Sequence, residues 1–208
     1  MARPAPGELE DVRPSRCHAA CAAVELDPPL GFDPARLEAW PAVEGRLQWV
    51  EGRLLYMPPC GDRQQDTVAD VVITLGNWVR SHPEFVVGTN EAGMFLGEDG
   101  RGADAAIWRR ADVGPYQGGF RRVPPLLAVE VAGRYERERQ LREKARWYLE
   151  ASVPVVWIVL PKKREVLIVT AAGDTRHRRG ERLPGDPRLP GLAPMVDELF
   201  VQVSRAAG

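Results

Sequence analysis

The chain has 208 residues, 44% of them apolar and 27% charged, with a formal net charge of −1. That length suits one domain with a substantial core, or a domain plus a tail, and the balanced charge excludes a global attraction to nucleic acid. Three cysteines without framework spacing argue for a reducing compartment rather than a disulfide scaffold.

Residues 1–30 hold Pro4, Pro6, Pro14, Pro28 and Pro29 around the small-residue segment CHAACAAVEL. They read as a loose N-terminal arm with one short helix. Cys17, His18 and Cys21 resemble metal ligands, but the second half that a four-ligand zinc site requires is missing. No basic segment followed by an apolar one marks a secretory leader, and no apolar run approaches the ~20 residues of a membrane span. The expectation is a cytoplasmic protein without membrane association.

Residues 31–208 are expected to form a single domain. Asp33-Pro34-Ala35 has the order of an N-cap followed by proline at the first helical position, which predicts a short helix through Leu37 and Trp40, stopped by Pro41. Leu47 to Met57 reads as a hairpin or bent strand with Gly52 at the turn. Asp62 to Gln65 open a helix whose apolar stripe is Val68, Val71, Val72, Leu75 and Val79, and His82-Pro83 ends it. Phe85–Val87 and Met94–Leu96 read as two short strands. Ala103–Trp108 reads as another, with Asp104 at its start beside Gly100 and Gly102. On its own, Asp104 also fits a turn residue. The loop GPYQGGFRRVPP follows.

The stretch 125–160 reads as strand, helix, strand. Leu126, Leu127, Ala128, Val129 and Val131 form an apolar run typical of a strand buried on both faces, and Glu130 interrupts it. A carboxylate there costs several kcal/mol, as any desolvated ion does, unless a cation or hydrogen bonds meet it. The next helix carries its apolar face on Leu141, Ala145, Tyr148 and Leu149. At roughly 100° per residue, Lys144 falls about 60° from Leu141, on the edge of that face, while Arg142, Glu143, Arg146 and Glu150 point away. Pattern alone leaves a structural Glu130–Lys144 ion pair open. Val155–Leu160 is a second continuous strand. Pro161 to Arg164 make a turn, Glu165–Thr170 return as a hairpin partner, and a turn at Gly173-Asp174 precedes a short basic strand. The proline-rich tail LPGDPRLPGLAPMVDELF is expected to pack across the sheet. The order of elements suggests one α/β domain with a mixed sheet.

Two basic runs, Arg134 to Arg146 and Arg176 to Arg179, offer local phosphate-binding patches, or solvated faces. Asp104, Glu130 and Lys144 form a candidate cluster. Two carboxylates on adjacent strand ends can hold a hard divalent ion such as Mg²⁺, which keeps several waters and takes one or two carboxylates. The absence of cysteine and histidine from the set disfavours zinc.

The stretches LQWVEGRLLYMPP, RGADAAIW, LLAVEV, LREKARWYLEASVPVVWIVLPKKREVLIV and LPGLAPMVDELF, in that order, resemble the Uma-type restriction-endonuclease family of the PD-(D/E)XK nuclease superfamily. The resemblance implies a restriction-endonuclease-like mixed β-sheet core flanked by helices. It also implies Mg²⁺- or Mn²⁺-dependent hydrolysis of DNA phosphodiester bonds, and a homodimer. By the same resemblance, Asp104 and Glu130 are the metal-binding carboxylates and Lys144 is the catalytic lysine, supplied by the helix because Ala132 occupies the usual position. Gln48, with Glu51 nearby, and Gln64 stand as auxiliary residues where the family has an acid and a histidine. Ala132-Gly133-Arg134 replaces a polar segment, and Gln140 replaces an acid. These replacements support an alternative: a weakened nuclease-fold module that binds nucleic acid or a protein partner.

Overall fold

The apolar runs Leu127–Val131 and Val155–Leu160 lie side by side as parallel strands, buried along their whole length. Parallel strands need a long crossover, and the helix Glu138–Glu150 supplies it. The computed structural model describes residues 23–205 other than 44, 58 and 117, with the backbone alone at 90 and 91. Among these are the strands β1 (Val24–Leu26), β2 (Arg46–Val50), β3 (Arg53–Met57), β4 (Phe85–Leu96), β5 (Asp99–Arg109), β6 (Leu127–Val131), β7 (Val155–Leu160), β8 (Glu165–Thr170) and β9 (Gly173–Arg178). The helices are α1 (Asp62–Arg80), α2 (Arg110–Val113), α3 (Glu138–Glu150) and α4 (Val201–Arg205).

All the described strands join one mixed sheet in the order β1-β3-β2-β5-β6-β7-β8-β9, with β4 also paired to β5. Alternation sorts the sheet's two faces. Ala105, Ile107, Val129 and Trp157 face α1 through Val71, Leu75 and Trp78. The tail joins that layer through Leu183, Leu189, Leu192, Val196, Leu199 and Phe200, as its apolar residues require. Buried Asp70 holds it there by accepting hydrogen bonds from the Gln202 backbone N–H (2.8 Å) and side-chain amide (3.1 Å). On the opposite face Ala106, Ala128, Val156 and Ile158 pack under Leu141, Ala145 and Tyr148 of α3.

β5 is shared unusually. β4 pairs along its full length, so one edge is filled. On the other edge β2 pairs at Gly100, and β6 pairs at Ala105 to Ile107. Between these points β2 and β6 part, and side chains take over backbone hydrogen bonds that a ladder would otherwise make. Gln48 Nε2 donates to the Gly102 carbonyl at 3.4 Å, and the Val131 N–H donates to Asp104 Oδ2 at 2.7 Å. Opposite the fork, the β4–β5 register slips between Thr89 and Ala92, so two residues face Asp104. Bulges of this kind re-aim a neighbouring strand and recur near functional sites.

The structure corrects several local expectations. Phe85–Val87 and Met94–Leu96 belong to one bulged strand, because TNEAG passes through a bulge instead of a turn. Asp104 therefore sits within β5, not at a strand start, and it is no turn residue. The helix expected through Trp40 is a single 3₁₀ turn, Leu37–Ala39, although Asp33 Oδ1 does accept from the Ala35 N–H (2.9 Å). Val24–Leu26, inside the stretch read as an arm, pairs with β3 as an edge strand. Residues 17–22 of CHAACAAVEL, with Cys17, His18 and Cys21, lie outside the described residues, and the rest of that segment holds β1 where a short helix was expected.

Candidate active site

Asp104 and Glu130 come together because β5 and β6 are antiparallel. The pairs Ala105↔Val129 and Ala106↔Ala128 place Asp104 opposite Glu130 at the next step of the register. Directly opposed residues project from the same face, which here is the α3 face. Both carboxylates are buried, at 8% and 3% exposure.

Three side chains and one backbone amide meet them. Lys144, one turn after Leu141 on the edge of the α3 apolar face, donates from Nζ to Glu130 Oε2 at 2.6 Å. Tyr148, a further turn on, donates from Oη to Glu130 Oε1 at 2.6 Å. The Val131 N–H takes Asp104 Oδ2, and Arg46 Nη1 of β2 stands 3.5 Å from Asp104 Oδ1. Gln48, on the same face of β2 as Arg46, reaches the Gly102 carbonyl, two residues before Asp104.

The burial sets unusual proton affinities. Desolvation pushes Glu130 up to about 7 against the pull of Lys144, and adjacent Asp104 adds to the rise. Burial likewise raises Asp104, opposed by Lys144, the Val131 N–H and Arg46. Burial alone would lower Lys144, but the attraction of Glu130 and Asp104 outweighs it and holds the ammonium above its ordinary range. Burial and the neighbouring Glu130 charge raise Tyr148 well above an ordinary phenol. Tyr148 and Lys144 are therefore proton donors to Glu130, not bases.

Of the residues singled out in the sequence, the fold brings Asp104, Glu130 and Lys144 together and sets Gln48 beside them. Gln64 arrives from the α1 side, where its Nε2 donates to the Val131 carbonyl at 3.0 Å. It braces the end of β6. A Cβ on Gly133 would lie 2.9 Å from Gln64 Oε1 and 3.0 Å from Glu136 Oε2, so a side chain there would push back the ends of these two groups over the strand end. Glu51 joins Gln48 and Lys144 in lining the cleft between α3 and the β2–β3 hairpin. It occupies the β2–β3 turn at φ +50°, before Gly52 at +77°, and its carboxylate meets Arg53 at 3.4 Å. Gln140 accepts from the Arg137 N–H at 2.9 Å and caps α3. Sequence reasoning missed Arg46, which lies one residue before the expected hairpin. It also read Tyr148 as plain core, although a buried tyrosine hydroxyl calls for a polar partner.

Lys144, Gln48, Glu136, Gln140, Arg101 and Trp147 contribute to a cleft of about 570 Å³ between α3 and the β2–β3 hairpin. Of the first basic run, Arg139, Lys144 and Arg146 line this cleft, while other members of the two runs are taken up in ion pairs. Arg142 pairs with Glu138 and Asp174, Arg176 with Glu138 and Glu165, Arg178 with Glu165, and Arg179 with Asp197.

The donor set fits a hard cation held by two carboxylates and completed by water. Among the described residues no three of His, Cys, Asp and Glu converge to cage an ion, and no helix is long and apolar enough to cross a membrane.

A family model, Uma2, described as "Putative restriction endonuclease", matches residues 34–201. A crystal structure titled a "putative nuclease" from Anabaena variabilis matches with a TM-score of 0.69 at 12% identity, covering 78% of this chain and 93% of that one. At that identity the likeness is one of fold, a mixed sheet flanked by helices. No curated protein matches the sequence.

Proposed function

The chain belongs to the Uma2 family, and from that premise we propose that it is a divalent-metal-dependent endonuclease that hydrolyses phosphodiester bonds in DNA. The observation that carries this reading is the facing pair Asp104 and Glu130, with the Lys144 ammonium 2.6 Å from the second carboxylate at the wall of a cleft. Asp104 and Glu130 would hold the ion, which we assign as Mg²⁺ with Mn²⁺ as its substitute. When bound, such an ion polarises a phosphoryl oxygen and lowers the pKa of its water.

The protein's own groups do the rest. Tyr148 and Lys144 hold the two oxygens of Glu130 and so fix its orientation. The same pair of bonds favours the ionised form of a carboxylate that burial would otherwise protonate. Lys144 keeps its proton, so it acts as a donor. It orients the attacking water and offsets the negative charge that builds on the phosphoryl group. Gln48 and Gln64, as neutral amides, secure the backbone at the fork and at the end of β6.

One observation favours a second reading. Arg46 and Lys144 bring two fixed positive charges to the two carboxylates, as suits a weakened module that binds nucleic acid or a protein partner without cutting.

The test is plasmid cleavage by the purified full chain with Mg²⁺ or Mn²⁺, beside Glu130→Gln and Lys144→Met. Metal-dependent nicking lost in both variants supports the nuclease reading. Undiminished nicking in both removes this site from the chemistry. DNA retention with a steep salt dependence and no cleavage supports the second reading.

A further inference from the structure

The inference concerns Arg46 and rests on the reading that Asp104 and Glu130 take a divalent ion. The two carboxylates differ in how their cations are held. Glu130 is fixed by short hydrogen bonds from Lys144 and Tyr148, both on α3. Asp104 spends Oδ2 on the Val131 N–H and presents Oδ1 to Arg46 at 3.5 Å. At that separation the contact is mainly electrostatic.

The Arg46 side chain is 24% exposed, against 19% for that of Lys144, and stands on the β2 face that carries Gln48. A guanidinium keeps its charge at any working pH, so it cannot leave as a neutral group. A divalent ion approaching Asp104 therefore meets a permanent positive charge that is attached to the oxygen it needs, and loosely.

We propose that Arg46 is a resident counter-cation that competes with the divalent ion for Asp104 and so sets the metal affinity of the site. In the metal-free protein it compensates the buried aspartate. When the ion enters, the guanidinium gives up Asp104 and the Lys144 contact with Glu130 is kept. Removing the arginine's charge removes the competitor and leaves the carboxylates to the metal.

The test is calorimetric titration of Mn²⁺ into the full chain at pH 7.5, comparing wild type, Arg46→Met, Arg46→Gln, Arg46→Lys and Asp104→Asn. Melting curves in EDTA confirm that each is folded. Arg46→Met keeps most of the apolar stem and guards against a packing failure in Arg46→Gln. The expected result is Mn²⁺ affinity raised about tenfold or more in the two neutral variants, near wild-type affinity in Arg46→Lys, and loss of binding in Asp104→Asn. Wild-type binding with unchanged or weaker affinity in both neutral variants overturns the proposal while the metal site stands. Equal gains in Arg46→Lys and the neutral variants also overturn it, because charge is then not the cause. If no protein in the series binds Mn²⁺, the metal site itself is refuted, and this inference with it.

Discussion

Replacing Glu130 with glutamine should change how stability depends on pH. The carboxylate is 3% exposed, and burial raises it from 4.5 to about 7 in the folded chain. Between those values the folded state keeps a proton that the unfolded state has released. Wild-type stability therefore falls with rising pH by about 1.4 kcal/mol per unit from this group, until it levels off above pH 7. The total is about 3 kcal/mol, and glutamine removes it because its amide does not titrate. For a chain of this size 1 kcal/mol moves the melting temperature by roughly 2–4 °C, so the effect amounts to roughly 6–12 °C. The assay is thermal melting of wild type and Glu130→Gln in EDTA at pH 5 and pH 8. Taking the difference between the two proteins cancels the surface carboxylates they share. The melting temperature of the variant minus that of wild type should be larger at pH 8 than at pH 5 by roughly 5–10 °C, the share of the effect that falls between those two pH values. A difference that stays constant within about 2 °C refutes the claim that Glu130 holds a proton in the folded state.

Lys144→Met should leave the sheet intact by circular dichroism yet slow plasmid nicking by roughly 10²–10³-fold, the usual loss when one donor to a developing oxyanion is removed. Tyr148→Phe deletes one hydrogen bond to a charged group without changing the ring packing, and chemical denaturation should show a loss of about 1.5–3 kcal/mol at pH 8. Glu138 receives Arg142, Lys163 and Arg176 near the surface, and these hydrogen bonds overcome its partial burial to hold it below the ordinary carboxylate range. Its stabilising contribution is present above the unfolded pKa of about 4.5 and disappears as pH falls through the lowered folded value. Glu138→Gln should thus destabilise by less than about 1 kcal/mol at pH 7, with no difference from wild type in high salt.

What was legible in the sequence was local or periodic. The hairpin with Gly52 at its turn, the stripe of α1 and the paired apolar runs of β6 and β7 follow from spacing and turn chemistry. The angle of Lys144 on α3 follows from helical geometry, and its meeting with Glu130 followed once a buried carboxylate demanded a cation. The fork in the sheet was not legible. It depends on β2 and β6 dividing one edge of β5, and such long-range pairing leaves no mark in a single strand. Asp104 looked like a turn residue because the bulge that faces it is written in another strand. Arg46 was missed because it acts across the sheet on an aspartate 58 positions later. Tyr148 fits an apolar stripe by its ring, and only its hydroxyl reveals the contact with Glu130.

The most direct measurement is anomalous diffraction from a crystal soaked in Mn²⁺. The account predicts a peak within coordination distance of both Asp104 and Glu130, with Arg46 moved off Asp104 and Lys144 still on Glu130. The absence of a peak after a soak in saturating Mn²⁺, with Arg46 and Lys144 both still seated on the carboxylates, contradicts it.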